Sequence, residues 1–166
     1  NSIVIDTFKT FLKNGFSVCR INFRGVGKSD GTFNNGQGEL SDAAAALDWV
    51  ERENLDHSQC WISGFSFGSL IAMQLLMRRP EINRFIAISP QPNVYDFSFL
   101  SPCPASGLMI YGKKDELVPQ EHIAELDKRL SAQKGIKVEF QCISDANHFF
   151  AKSEKTLIKF LDKYIK

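Results

Sequence analysis

The chain has no long apolar run, no excess of one charge and no paired-cysteine motif, and each absence removes a class of function. Its longest apolar stretch, Ser69 to Met77, is interrupted by Gln74 and falls far short of the ~20 residues a membrane-spanning helix needs. Lys and Arg number 20 against 19 Asp and Glu, a net charge of +1, so no electrostatic footprint points to nucleic acid or to an acidic membrane surface. Cys19, Cys60, Cys103 and Cys142 form no C-x-x-C pair. Three of them fall in apolar segments that read as buried strands, so free, buried thiols in a reducing cytoplasm are expected. The three histidines form no cluster with metal-ligand spacing, and neither a metal nor a cofactor is expected. What remains is an ordinary composition, 43% hydrophobic and 23% charged over 166 residues, enough for a single domain spanning residues 1–166 with a substantial core.

Two periodicities alternate along the chain. Residues 1–13 read as a helix stopped by Asn14-Gly15. Residues 16–23 read as a buried strand and are followed by a glycine-rich loop through Gly36. Helical spacing returns over residues 41–53, 66–78, 119–132 and 153–164. Short apolar runs at 59–63, 84–89, 107–111 and 137–143 read as strands. Helices between successive strands imply an α/β fold, a mostly parallel sheet with helices on both faces. A sheet of this kind normally opens with strands, whereas this chain opens in a helix. The expectation is therefore a domain lacking its N-terminal strands, with roughly 40 to 60 further residues before Asn1.

The most specific signal is Gly64-Phe65-Ser66-Phe67-Gly68, set between the apolar run ending at Ser63 and the helical segment that follows. Strand, sharp turn and helix with a serine at the apex make a nucleophile elbow. Glycine on either side is expected to relieve crowding against strand and helix. The helix N-terminus aims its N–H groups, Phe67's among them, at the place where an oxyanion would form. A serine hydroxyl needs a base, and the base an orienting acid. His148 in Ala146-Asn147-His148 and Asp115 in Gly112-Lys113-Lys114-Asp115 both fall just beyond predicted strands, in the order Ser, Asp, His. Asp96, in the loop after the strand at 84–89, and Asp145, three residues before His148, are the competing acids. His57 and His122 are expected to be solvated. Gly25-Val26-Gly27-Lys28-Ser29 imitates the end of a phosphate-binding loop, but position 22 is Asn rather than Gly and no helix follows directly, so nucleotide binding is a poor reading.

The chain resembles the small, lidless α/β-hydrolases of bacteria, related to carboxylesterases and dienelactone hydrolases. The resemblance covers nearly the whole chain and is carried by Asn22-Phe23-Arg24-Gly25-Val26-Gly27-Lys28-Ser29-Asp30-Gly31, the elbow, Gly112-x-x-Asp115-x-x-Val118-Pro119 and Asn147-His148-Phe149. It implies an α/β-hydrolase fold with Ser66 as nucleophile, His148 as base and Asp115 as acid. It also implies an oxyanion donor at the N–H of Phe67 and a second donor before Asn1. The reaction it implies is cofactor-free acyl transfer to water from a small carboxylic ester, with no nucleic-acid or membrane partner. Thioesterase, lactonase or peptidase chemistry would use the same groups, and a catalytically silent binding protein would keep the same fold.

Residues 91–104 leave too little chain for a multi-helix cap. Their aromatic side chains, Tyr95, Phe97 and Phe99, have two readings of equal weight: lining a shallow substrate pocket, or covering the sheet edge.

Overall fold

The computed structural model describes residues 1–166. Four strands, β1 (Trp61–Phe65), β2 (Arg84–Ile88), β3 (Ser106–Gly112) and β4 (Val138–Ile143), form one parallel sheet in the order β1-β2-β3-β4. Five α-helices cover it: α1 (Ser2–Lys13), α2 (Gln37–Glu53), α3 (Phe67–Leu76), α4 (Gln120–Ser131) and α5 (Glu154–Ile165).

Strand side chains alternate between two cores, as a pleat buried on both faces requires. Phe85 and Ala87 of β2 and Met109 of β3 join α2, α3 and α4 on one side. Ile86, Ile88, Leu108 and Ile110 point to the opposite side, where Ile3 and Phe11 of α1 and Leu157 and Leu161 of α5 pack against them. Helix α1 starts where Asn1 accepts a hydrogen bond from the Ile3 amide at 2.9 Å, an ordinary N-cap. Helix α2 begins four residues earlier than the periodicity suggests. Gly36 adopts φ 94, and the fully buried Glu39 accepts from the Asn34 and Gly36 amides at 2.8 and 2.9 Å.

The largest departure from the sequence pattern is residues 16–23. They belong to no helix or strand, and none of the amides from Ser17 to Phe23 donates to another backbone carbonyl. A cleft of about 860 Å³, lined on one side by this segment and on the other by Ile62, Gly64 and Phe65, lies between it and β1. Without a neighbour the segment cannot complete a ladder, and β1, the first strand of the sheet, keeps one edge unpaired. The expectation that Cys19 is buried fails for the same reason: Cys19 is exposed, Cys60 and Cys142 are half-buried and only Cys103 is buried, all four as free thiols. No helix is long and apolar enough to cross a membrane.

Candidate active site

The carboxyl ends of β1, β3 and β4 converge. Ser66 closes β1 at φ 54 and ψ −120 and caps α3. Its amide donates to the Ile88 carbonyl at 2.8 Å, tying the turn to β2. A Cβ on Gly64 would collide with the Gly68 carbonyl oxygen, so the turn can be this tight only with glycine there. The second glycine does not obey the same logic. A Cβ on Gly68 would meet only the Phe23 ring, at 3.9 Å, so crowding does not account for it.

Asp115 leaves β3 in a turn that holds its carboxylate from two sides. Oδ1 accepts the Leu117 and Val118 amides at 2.8 and 3.0 Å, and Oδ2 accepts a hydrogen bond from His148 Nδ1–H at 2.7 Å. The carboxylate is 2% exposed and the imidazole 1%, so these bonds satisfy a charge that water cannot reach. With Nδ1–H directed at Asp115, the lone pair of Nε2 faces Ser66, whose Oγ is 2.9 Å away. The tautomer follows from the network, since a carboxylate cannot donate.

The His148 loop is locked to the rest of the edge. Gly112 packs so closely that a Cβ would collide with the Ala146 carbonyl, and the Lys114 amide donates to that carbonyl at 2.9 Å. Asn147 accepts the Phe149 and Ala151 amides. The imidazole rests between Phe65 and Phe149, with ring centroids at 5.5 and 5.1 Å.

The competing acids lie elsewhere. Asp96 is exposed and spends both oxygens on Ser98 at 2.8 and 2.9 Å, which holds its carboxyl below the usual carboxylate range. Asp145 is exposed and pairs with Lys114 at 3.2 Å. His57 Nδ1 donates to the Asn54 carbonyl at 2.7 Å, at the far end of α2. The Phe67 amide opens α3 beside Ser66, with no carbonyl of its own helix to bond.

The aromatic residues of the 89–105 loop separate. Tyr95 faces the Phe67 ring at 5.9 Å, and Phe33 of the glycine-rich loop reaches the same ring at 5.5 Å. Phe97 is 2% exposed in the core with Phe99 stacked on it at 6.0 Å. As a lining residue Phe97 is therefore corrected: it supports the loop from beneath. Two further residues at this edge carry no local sequence signal. Ser89, buried at φ 47, donates its hydroxyl to the His148 carbonyl at 2.8 Å. The Gln91 carboxamide approaches Ser66 Oγ at 3.0 Å. A serine before Pro90, and a glutamine enclosed by Pro90 and Pro92, are the only hints in the sequence.

The chain belongs to the alpha/beta hydrolase fold family, whose profile matches residues 3–107. It is 50% identical to an Agrobacterium tumefaciens protein of unknown function in the same structural class, covering 99% of this chain and 76% of that one, with a TM-score of 0.97. A Xanthomonas campestris serine hydrolase without a lid aligns over 98% of this chain and 72% of its own at 29% identity and a TM-score of 0.86. An uncharacterized Rickettsia prowazekii protein is 47% identical over 169 residues, 99% of this chain and 71% of that protein.

Proposed function

We propose that this chain is a serine esterase that hydrolyses small carboxylic esters through a Ser66–His148–Asp115 triad. The observation that carries the reading is the continuous relay from Ser66 Oγ to His148 Nε2 at 2.9 Å and from Nδ1 to Asp115 at 2.7 Å. Ser66 Oγ attacks the ester carbonyl as His148 Nε2 takes its proton. The tetrahedral oxygen gathers charge beside the Phe67 amide, a class of interaction worth about 3 kcal/mol per donor. Collapse expels the alcohol, which takes the proton from Nε2. Water then repeats the sequence on the acyl-enzyme, with Asp115 holding the imidazolium throughout. Four free thiols suit a cytoplasmic setting.

Substrate size follows from the 89–105 loop, which holds only one 3₁₀ turn, Ser98–Leu100, and so offers no cap. Acetyl to butyryl esters should give the highest kcat/KM. A long acyl chain would leave methylenes in water and forgo about 0.8 kcal/mol for each. The deciding experiment combines p-nitrophenyl esters of graded length with labelling by a fluorophosphonate. Ser66→Ala should lose both turnover and labelling while remaining folded. A preference for laurate would refute the open pocket, and labelling at another residue would refute the triad.

A further inference from the structure

We propose that the side-chain amide of Gln91 is a further catalytic group of this site, donating a hydrogen bond to Ser66 Oγ so that the hydroxyl proton is directed at His148. The proposal rests on the serine-hydrolase reading above. Ser66 Oγ has two polar neighbours, His148 Nε2 at 2.9 Å and Gln91 Oε1 at 3.0 Å, the latter placed as an acceptor of the hydroxyl proton. A hydroxyl carries a single proton. Because Asp115 accepts the Nδ1 proton, Nε2 is an acceptor. A glutamine oxygen at Oγ would be a second acceptor, and the two would compete for that proton.

Amide oxygen and nitrogen exchange places by a half-turn of the side-chain terminus, and the network decides between them. With nitrogen toward Ser66, one consistent chain results: Gln91 N–H to Oγ, Oγ–H to Nε2, Nδ1–H to Asp115. Each atom is used once, and no rotamer with its proton turned away from His148 is favoured.

The backbone delivers this amide rigidly. Pro90 and Pro92 each have a fixed φ, and Pro92 confines Gln91 to extended conformations. One residue before Pro90, the Ser89 amide donates to Ile110 at 2.8 Å and its hydroxyl to His148 at 2.8 Å. On the other side, the Gln91 carbonyl accepts the Val94 and Tyr95 amides, both at 3.0 Å. The carboxamide makes no hydrogen bond to any side chain except Ser66.

A donor at Oγ acts in both halves of the reaction. During acylation Oγ loses its proton to Nε2 as the bond to the carbonyl carbon forms, and it carries partial negative charge on the way. During deacylation the Oγ–carbon bond breaks, charge returns to Oγ, and the proton comes back from Nε2. The amide gives up no proton in either half, and its hydrogen bond is strongest when Oγ is most charged.

Gln91→Leu and Gln91→Glu, assayed on p-nitrophenyl acetate from pH 5 to 9 with fluorophosphonate labelling of Ser66 in parallel, test this. Gln91→Leu should lower kcat about ten-fold, less than the 10²–10³ of a lost oxyanion donor, with KM within two-fold. Gln91→Glu introduces an acceptor-only carboxylate. It should fall below Gln91→Leu at pH 8 and recover relative to the unchanged protein as pH approaches the carboxyl's ordinary value of about 4.3. A purely structural role would depress both variants in parallel at every pH. If Gln91→Leu does not fold, the pH ratio of Gln91→Glu decides alone. Labelling and turnover indifferent to residue 91 overturn this proposal and leave the triad standing. An unchanged protein that is never labelled at Ser66 overturns the esterase reading and this proposal together.

Discussion

Residues 16–23 and strand β2 are both short segments with a strand-like run of apolar side chains, and they end in opposite states. In β2 every residue after Arg84 is buried, with Phe85, Ile86 and Ala87 at 0% exposure, and the strand has hydrogen-bonded neighbours on both sides. In 16–23 most residues are exposed, Ile21 to 37%, and no ladder forms. The two segments differ in what stands beside them. An extended backbone becomes a strand only when another backbone takes its N–H and C=O groups, and the cleft beside β1 withholds that partner from residues 16–23.

Truncation gives the largest expected contrast. Phe85→Ala removes a wholly buried ring from the core packed under α2, α3 and α4 and should cost about 3–5 kcal/mol. Ile21→Ala should stay within about 0.5 kcal/mol. Urea unfolding midpoints of the two variants measure this directly, and equal losses would mean that 16–23 is packed like a core strand. Hydrogen exchange sharpens the contrast next. Amides of Ser17 to Phe23 should exchange on the order of 10³-fold faster than those of Phe85 to Ile88, because one set opens locally and the other only with the whole sheet.

Thiol labelling extends the same comparison. Cys19 is exposed and should react first with iodoacetamide at pH 8. Burial, with Glu51 adding to it, pushes the Cys60 thiol up to about 11, and burial also raises Cys103. Both should react at least ten-fold more slowly, since the thiolate is the reactive form. The smallest effect concerns the seam by which α1 docks on α5. Lys166 and Asn14 donate to Asp162, Lys13 adds its charge, and the carboxyl is held down to about 2. A carboxyl depressed on folding stabilises the fold above its unfolded value of about 3.9 and loses that contribution as pH falls toward 2. Asp162→Asn should therefore lower stability slightly at pH 7, where the contribution of this exposed pair is complete, and that deficit should disappear as pH falls toward 2.

The elements legible in the sequence are those whose cause is local. The α1 cap, the Pro119 start of α4 and the turn at Gly64 each depend on residues within a few positions. Ser66, Asp115 and His148 were legible because strand ends in a parallel sheet collect at one edge. Residues 16–23 carry a strand's apolar pattern without becoming one, because pairing is not a local property. The early start of α2 was missed because Glu39 bonds backward to Gly36 and Asn34, which apolar spacing does not register. Ser89 and Gln91 were invisible as site residues, since their partners lie 59 and 25 positions away and neither belongs to a motif. Of the two readings that the sequence allows Phe97, pocket lining or cover for the sheet edge, its buried side chain supports the second.

Two serines at the ends of adjacent strands, Ser66 at φ 54 and Ser89 at φ 47, hold conformations that suit glycine. Each costs on the order of 1–3 kcal/mol, and glycine at either position would relieve it. Thermal endurance and chemistry therefore pull these positions in opposite directions. A lineage selected only for survival of the scaffold would drift toward glycine at 66 and 89, whereas selection for the proposed esterase activity would keep the Ser66 hydroxyl and the Ser89 bond that holds the His148 loop. Natural variation at this pair is thus a record of which demand has prevailed, readable without a single activity assay.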